Sequence, residues 1–86
     1  MAADSLSPAQ CRMARAALQW SLEQAGAAAG VSRRTVLRFE NDHRDIQPEL
    51  IANLRRAYEA AGVRFIEKGA DAGGAVPPAL RGLRPN

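Results

Sequence analysis

Cysteine, histidine, lysine, tryptophan and tyrosine each occur only once in this chain of 86 residues. The single cysteine, Cys11, excludes an internal disulfide framework, and one histidine beside it, His43, leaves no metal cluster. No uninterrupted apolar run is long enough to span a membrane. The opening "MAADSLSPAQ" contains an acidic residue and lacks an apolar stretch, so it does not read as a secretory signal. These shortages point to an intracellular, cytoplasmic setting. Paired carboxylates and a nucleophile–base set are missing too, and a chain this short has negligible room for a buried enzyme cleft. No catalytic residue, metal or cofactor is therefore expected. A ligand-sensing domain does not fit either, so no small-molecule ligand is expected.

What is present is one small globular domain. Hydrophobic residues make up 47% and charged residues 24%, a balance that suits a packed core rather than a disordered chain. The formal net charge is +3 and the pI about 10.0, which suits a nucleic-acid partner without demanding one. Lys68 is the one lysine among twelve basic residues, and the other eleven are arginine. A compositional bias of the genome would account for that equally well.

Local signals divide the chain into four helices. Ser7-Pro8-Ala9-Gln10 reads as a helix start, with Ser7 capping, Pro8 in the first turn and Gln10 completing a capping box. This helix runs towards Trp20 with Cys11, Ala14 and Leu18 on one stripe. Ser21 and Gln24 repeat the box and open a short helix, "LEQAGAAA", which stops at Gly30. Ser32 caps a third helix, with Val31 and Val36 as a hydrophobic staple and Val36 and Phe39 facing inward. After the polar loop "NDHRDIQP", Pro48 opens a fourth helix. Its apolar face is Leu50, Ile51, Leu54, Ala57 and Tyr58, and Gly62 ends it. "VRFIE" alternates Val63, Phe65 and Glu67 against Arg64 and Ile66, so a short strand is expected. The glycines and prolines beyond Lys68 predict a flexible tail, dispensable for folding. The expected architecture is an all-α bundle of about four helices in residues 1–67, with a tail in 68–86. Cys11, Trp20 and Tyr58 are expected in the packing rather than in chemistry or base stacking.

The stretch "AAAGVSRRTVLRFEND" stands out. Two arginines at a helix start are electrostatically misplaced, because a helix N-terminus carries positive partial charge and favours anions. An external anion would resolve the mismatch. Two short helices joined through a glycine turn, the second opening with polar donors, form a helix-turn-helix pattern. "WSLEQAGAAAGVSRRTVLRFEND" resembles the lambda-repressor/Cro-type (XRE-like) DNA-binding family, across roughly the first three quarters of the chain. The resemblance implies a bacterial or phage transcriptional regulator acting on double-stranded DNA at the nucleoid. It makes Gly26 the small residue that lets the two helices approach, and Gly30 the turn glycine. It puts Ser32, Arg33, Arg34, Thr35 and Arg38 on the exposed face of the recognition helix. Arginine pairs bidentately with guanine O6 and N7, and Ser and Thr serve phosphates or bases. Arg34 and Arg38 are the expected base readers, with Ser32 and Thr35 on the backbone. Arg55 and Arg56 are expected at most to touch phosphates. The resemblance also implies that Arg15 and Glu40 pair between the first and third helices, in a structural role. A solvated basic face and two unrelated surface charges are the plainer readings.

The chain departs from the family pattern in three places. Leu22 replaces a glutamine that commonly touches the DNA backbone, Ala25 replaces a larger apolar residue, and Leu37 stands where members are usually polar. "HRDIQPELI" resembles a kinase catalytic loop at His43, Arg44 and Asp45, but Gln47 and Leu50 stand where that loop needs lysine and asparagine. It is a coincidence of three residues. A homodimer is one expected arrangement, through the strand edge or the fourth helix. The alternative is a protein-interaction module, such as an antitoxin or anti-regulator, built on the same fold.

Overall fold

A computed structural model describes residues 5–66 and 73–76. It contains α1 (Pro8–Leu18), α2 (Leu22–Ala29), α3 (Arg33–Glu40), α4 (Pro48–Ala60), β1 (Arg64–Phe65) and β2 (Ala75–Val76). The helix starts follow their side-chain chemistry. Ser7 Oγ accepts from the Gln10 backbone N–H at 3.0 Å while Gln10 Oε1 accepts from the Ser7 N–H at 3.1 Å. The reciprocal pair recurs between Ser21 and Gln24, at 3.0 and 2.8 Å. Each box satisfies two N–H groups that a helix end leaves without partners. α1 stops at Leu18 because Gln19 turns into the left-handed region, at φ 57°. α4 has no side-chain cap at Gln47 and relies on Pro48 in its first turn with Glu49 beside the positive end of the dipole.

α2 packs against both α3 and α4, while α1 crosses α3, α4 and β2. The core between them is Leu6, Cys11, Ala14, Ala25, Val36, Phe39, Leu54, Tyr58, Val63 and Phe65. Tyr58 is its centre. Its ring lies 5.8 Å from that of Trp20 and 6.4 Å, edge-on, from that of Phe65. These separations fall in the range in which aromatic pairs add to simple burial. This is the small all-α bundle with a helix-turn-helix that the sequence predicts. Ala25, smaller than the family's usual residue, is fully buried.

β1 has a partner that the sequence reading does not contain. It pairs antiparallel with β2, Arg64 opposite Val76 and Phe65 opposite Ala75. Val63 and Phe65 point into the core and Arg64 outward, while Glu67 lies outside the described residues. The sequence boundary at residue 67 thus leaves β2 on the tail side, although Ala75 packs against the core. Two residues between glycines and prolines are too few to show any alternation. The remainder of the expected tail, residues 68–72 and 77–86, lies outside the described residues.

Arg55 is the clearest correction. The sequence reading has it at most touching phosphates, yet it is buried to 6% exposure and bonded within the protein. Its Nη1 donates to the Ser5 carbonyl at 2.7 Å and its Nε to Glu59 Oε2 at 3.0 Å. The guanidinium carbon stands 5.0 Å over the Phe65 ring. One side chain therefore joins α4, the segment before α1 and the hairpin. It is held by charge-assisted hydrogen bonds and a cation–π contact. Arg56, one residue on, is exposed and bonded to Asn53 within its own helix. The two should separate in denaturation. Arg55→Ala is expected to lower stability by about 2–3 kcal/mol, and Arg56→Ala by less than about 0.5 kcal/mol. Urea unfolding followed by circular dichroism measures both, and equal midpoints would refute the difference.

Candidate nucleic-acid interface

The pair α2–α3 is built around a close backbone approach. A Cβ added to Gly26 would stand 2.5 Å from the Val31 carbonyl oxygen, nearer than any real contact, so no larger residue fits without moving the turn. The Val31 N–H donates to the Gly26 carbonyl at 2.9 Å, closing that turn. Gly30 supplies the left-handed step at φ 73°, which costs glycine little. Ser32 then caps α3, its Oγ accepting from the Thr35 N–H at 3.0 Å and lying 2.8 Å from Thr35 Oγ1. The two hydroxyls carry two hydrogens. One serves the bond between them, and the other is free to donate outward.

The structure gathers the five expected contact residues on and just before the first two turns of α3. Ser32, Arg33 and Arg34 are exposed, and Thr35 and Arg38 are half-buried. Leu37 is exposed among them, while Val36 and Phe39 face the core. α3 has no acidic residue in its first turn, so two arginines stand at the positive end of its dipole. Among the described residues, the side chains of Arg33 and Arg34 form no hydrogen bond or ion pair. Arg38 differs, because its Nη2 donates to Asp45 Oδ2 in the loop after α3.

The far end of α3 is anchored by a buried carboxylate. Glu40 is 5% exposed. Arg15 Nε donates to Glu40 Oε2 at 2.7 Å and Arg15 Nη2 to Oε1 at 2.9 Å, a bidentate fork from α1. Arg15 Nη1 also reaches the Trp20 carbonyl at 3.1 Å, and Arg12 Nη1 reaches the Glu40 carbonyl at 2.5 Å. Cys11 Sγ lies 3.4 Å from Glu40 Oε2 and 3.1 Å from Tyr58 Oη. The thiol's one hydrogen goes to the carboxylate, so the tyrosine hydroxyl donates to the sulfur. The relay runs Tyr58, Cys11, Glu40, Arg15 and ties α4, α1 and α3 together. Burial pushes the Cys11 thiol up to about 12, with the negative charge of Glu40 adding to the effect and the Tyr58 hydrogen bond opposing it. Burial, followed by the neighbouring thiol, raises Tyr58 as well. The Glu40 hydrogen bond raises Arg15. Among the described residues no group of His, Cys, Asp or Glu is placed to hold a metal ion, and no helix is long and apolar enough to cross a membrane.

The helix-turn-helix (HTH_3) family profile matches residues 12–65, more than half of the chain. The chain belongs to the lambda-repressor/Cro (XRE) type of helix-turn-helix proteins. The matched segment opens inside α1 and closes on β1, so Arg15, Glu40 and all of α2–α3 lie within this helix-turn-helix domain. The family is one of DNA-binding, non-enzymatic domains engaged in transcription regulation. No curated protein matches the chain. In this domain α2 and α3 are the two helices joined by the turn at Gly30. Leu22, at the position of the commonly polar contact, packs partly against the core instead. His43 and Arg44, of the kinase-like triplet, line a cleft of about 310 Å³ with Pro8, Phe39, Asp42, Ile46 and Ile51.

Sequence reasoning missed Cys11 as a partner of Glu40, Tyr58 as the partner of Cys11, and Asp45 as the partner of Arg38. Cys11 and Tyr58 sit on the apolar stripes of their helices, where spacing signals burial but says nothing of hydrogen bonding. The Asp45 contact depends on how the loop folds back.

Two outcomes follow from the Glu40 relay. Arg15→Met strands a buried carboxylate and should cost about 3–5 kcal/mol, whereas Arg15→Met with Glu40→Leu should cost clearly less. A double-mutant cycle with no coupling would show that the fork contributes nothing. The second concerns pH. The folded chain holds the Cys11 proton to about 12, against 9.0 for an ordinary thiol, so the unfolded chain releases it first. Stability is then insensitive to this group below pH 9 and falls as the pH rises from 9 towards 12. Cys11→Ala should make that part of the stability profile less steep, the fall that remains above pH 10 belonging to Tyr58, as measured by urea titration across the range.

Proposed function

We propose that this protein is a sequence-specific regulator of transcription that lays α3 in the major groove of double-stranded DNA. The carrying observation is the outward face of α3. It presents Arg33, Arg34 and Arg38 with no acid in the first turn, on a helix whose other end is clamped through Glu40. A rigid helix with exposed guanidinium groups at its start is the arrangement that major-groove reading needs. In this reading Arg34 and Arg38, four residues apart on one face, reach base edges, and Arg33 flanks them. Ser32 and Thr35 share one outward hydroxyl hydrogen and serve a phosphate. The domain acts as a homodimer, because one helix this short makes few base contacts and two-fold pairing doubles them. Half-sites then lie about 34 Å apart, one helical turn.

Selection of bound sequences from a random duplex pool tests the reading. A two-fold repeated half-site at that spacing supports it, and absence of any enrichment refutes it. Stable capture of a protein partner with no duplex affinity would support the interaction-module alternative instead. On the selected site, Arg34→Ala is expected to lose about 1–3 kcal/mol of binding and to relax preference at one base pair. The same change at a phosphate-contacting residue weakens all sequences alike and lowers the salt slope by about one unit. Titrations of each variant against selected and random duplex, over a salt series, separate the two. Unchanged binding by Arg34→Ala and Arg38→Ala would reduce this face to solvated charge.

A further inference from the structure

Arg33 and Arg34 extend from α3 without a protein acceptor among the described residues, but Arg38 is held by a carboxylate. Asp45 belongs to the loop between α3 and α4, seven residues further on, and its side chain is 65% exposed. An exposed acid beside a proposed DNA-facing arginine opposes binding to a polyanion. Its charge cancels the guanidinium at long range and repels phosphates at short range.

We propose that Asp45 is a specificity-determining residue, acting on Arg38 as an internal competitor for phosphate. The inference rests on the DNA-binding reading above. A guanidinium has five N–H donors, and Asp45 accepts from one nitrogen, Nη2. For Arg38 to contact a phosphate, one anion must replace another or two anions must share the group. Neither releases much free energy, and the phosphate meets the Asp45 charge as well. A guanine edge is different. Its O6 and N7 are neutral acceptors, and the donors not used by Asp45 still serve them. The carboxylate also keeps the guanidinium in one orientation, so less rotamer entropy is lost on contact. Asp45 therefore penalises the contact that every sequence offers and spares the contact that only some offer. The result is a larger ratio of specific to non-specific affinity, the quantity that governs site choice among many competing sites.

Asp45→Asn tests this, because the amide oxygen still accepts from Arg38 while the charge is gone. Random-duplex affinity at low salt should rise about three- to tenfold, with a salt slope steeper by about one unit as Arg38 becomes a phosphate contact. Affinity for the selected site should change less, so the specificity ratio falls. Asp42→Asn removes the same charge from the same loop without touching the Arg38 pair, and should leave the ratio nearer the parent value. In an Arg38→Ala background Asp45→Asn should not alter the ratio. Parent binding to duplex, with Asp45→Asn changing the ratio no more than Asp42→Asn does, overturns the proposal alone. A parent that binds no duplex overturns the DNA reading and this proposal with it. Unchanged circular dichroism and melting temperature in each variant exclude a folding effect.

Discussion

The neutralisation of one buried carboxylate holds this domain together. Glu40 sits where water cannot solvate it, and an unpaired charge there would be unsustainable. Arg15 covers both of its oxygens, Cys11 adds a thiol donor, and Tyr58 passes a further hydrogen bond from α4. Each partner must come from a different turn or helix, so the requirement to pair the charge fixes how α1, α3 and α4 sit relative to one another. A purely apolar contact would tolerate rotation of α3 about its axis, whereas a bidentate fork does not. The outward direction of Arg33, Arg34 and Arg38 follows from that inward constraint.

The other end of α3 is positioned by the opposite means, an absence of atoms. Gly26 lets the Val31 carbonyl come where a side chain would stand, and Gly30 turns the chain without strain. The buried residues of α2 are small, Ala25 and Gly26, while Leu22 packs partly against the core. The helix-turn-helix thus combines a backbone contact at one end with an ionic clamp at the other. The two do not share a residue, so each can be perturbed separately.

How much of this was legible in the sequence depends on the range of the interaction. Capping is local, and Ser7 with Gln10, Ser21 with Gln24, Ser32 and Pro48 mark the helix starts without reference to the rest of the fold. The gathering of Ser32, Arg33, Arg34, Thr35 and Arg38 on one helix was legible for the same reason. The Arg15–Glu40 contact spans 25 residues and was visible only through resemblance to a family. Arg55 was grouped with Arg56 as at most a phosphate contact. Its spacing argued otherwise, since Ile51, Leu54, Arg55 and Tyr58 fall at i, i+3, i+4 and i+7, the positions of a core-facing stripe. β2 was invisible because two residues carry no period. Asp45 looked like loop polarity, and no local rule connects it to a side chain on the preceding helix.

The bond from Arg55 to the Ser5 carbonyl spans 50 residues. Closing a chain segment of that length costs on the order of 3–4 kcal/mol of entropy. A single charge-assisted hydrogen bond returns about 1.5–3 kcal/mol, too little to drive the closure by itself. On that balance the contact is expected to form late in folding, after α1 and α4 have packed and brought the two regions together. An interaction absent from the transition state leaves the folding rate alone and slows unfolding. Arg55 would in that sense be a latch, setting how long the bundle stays shut rather than how fast it forms.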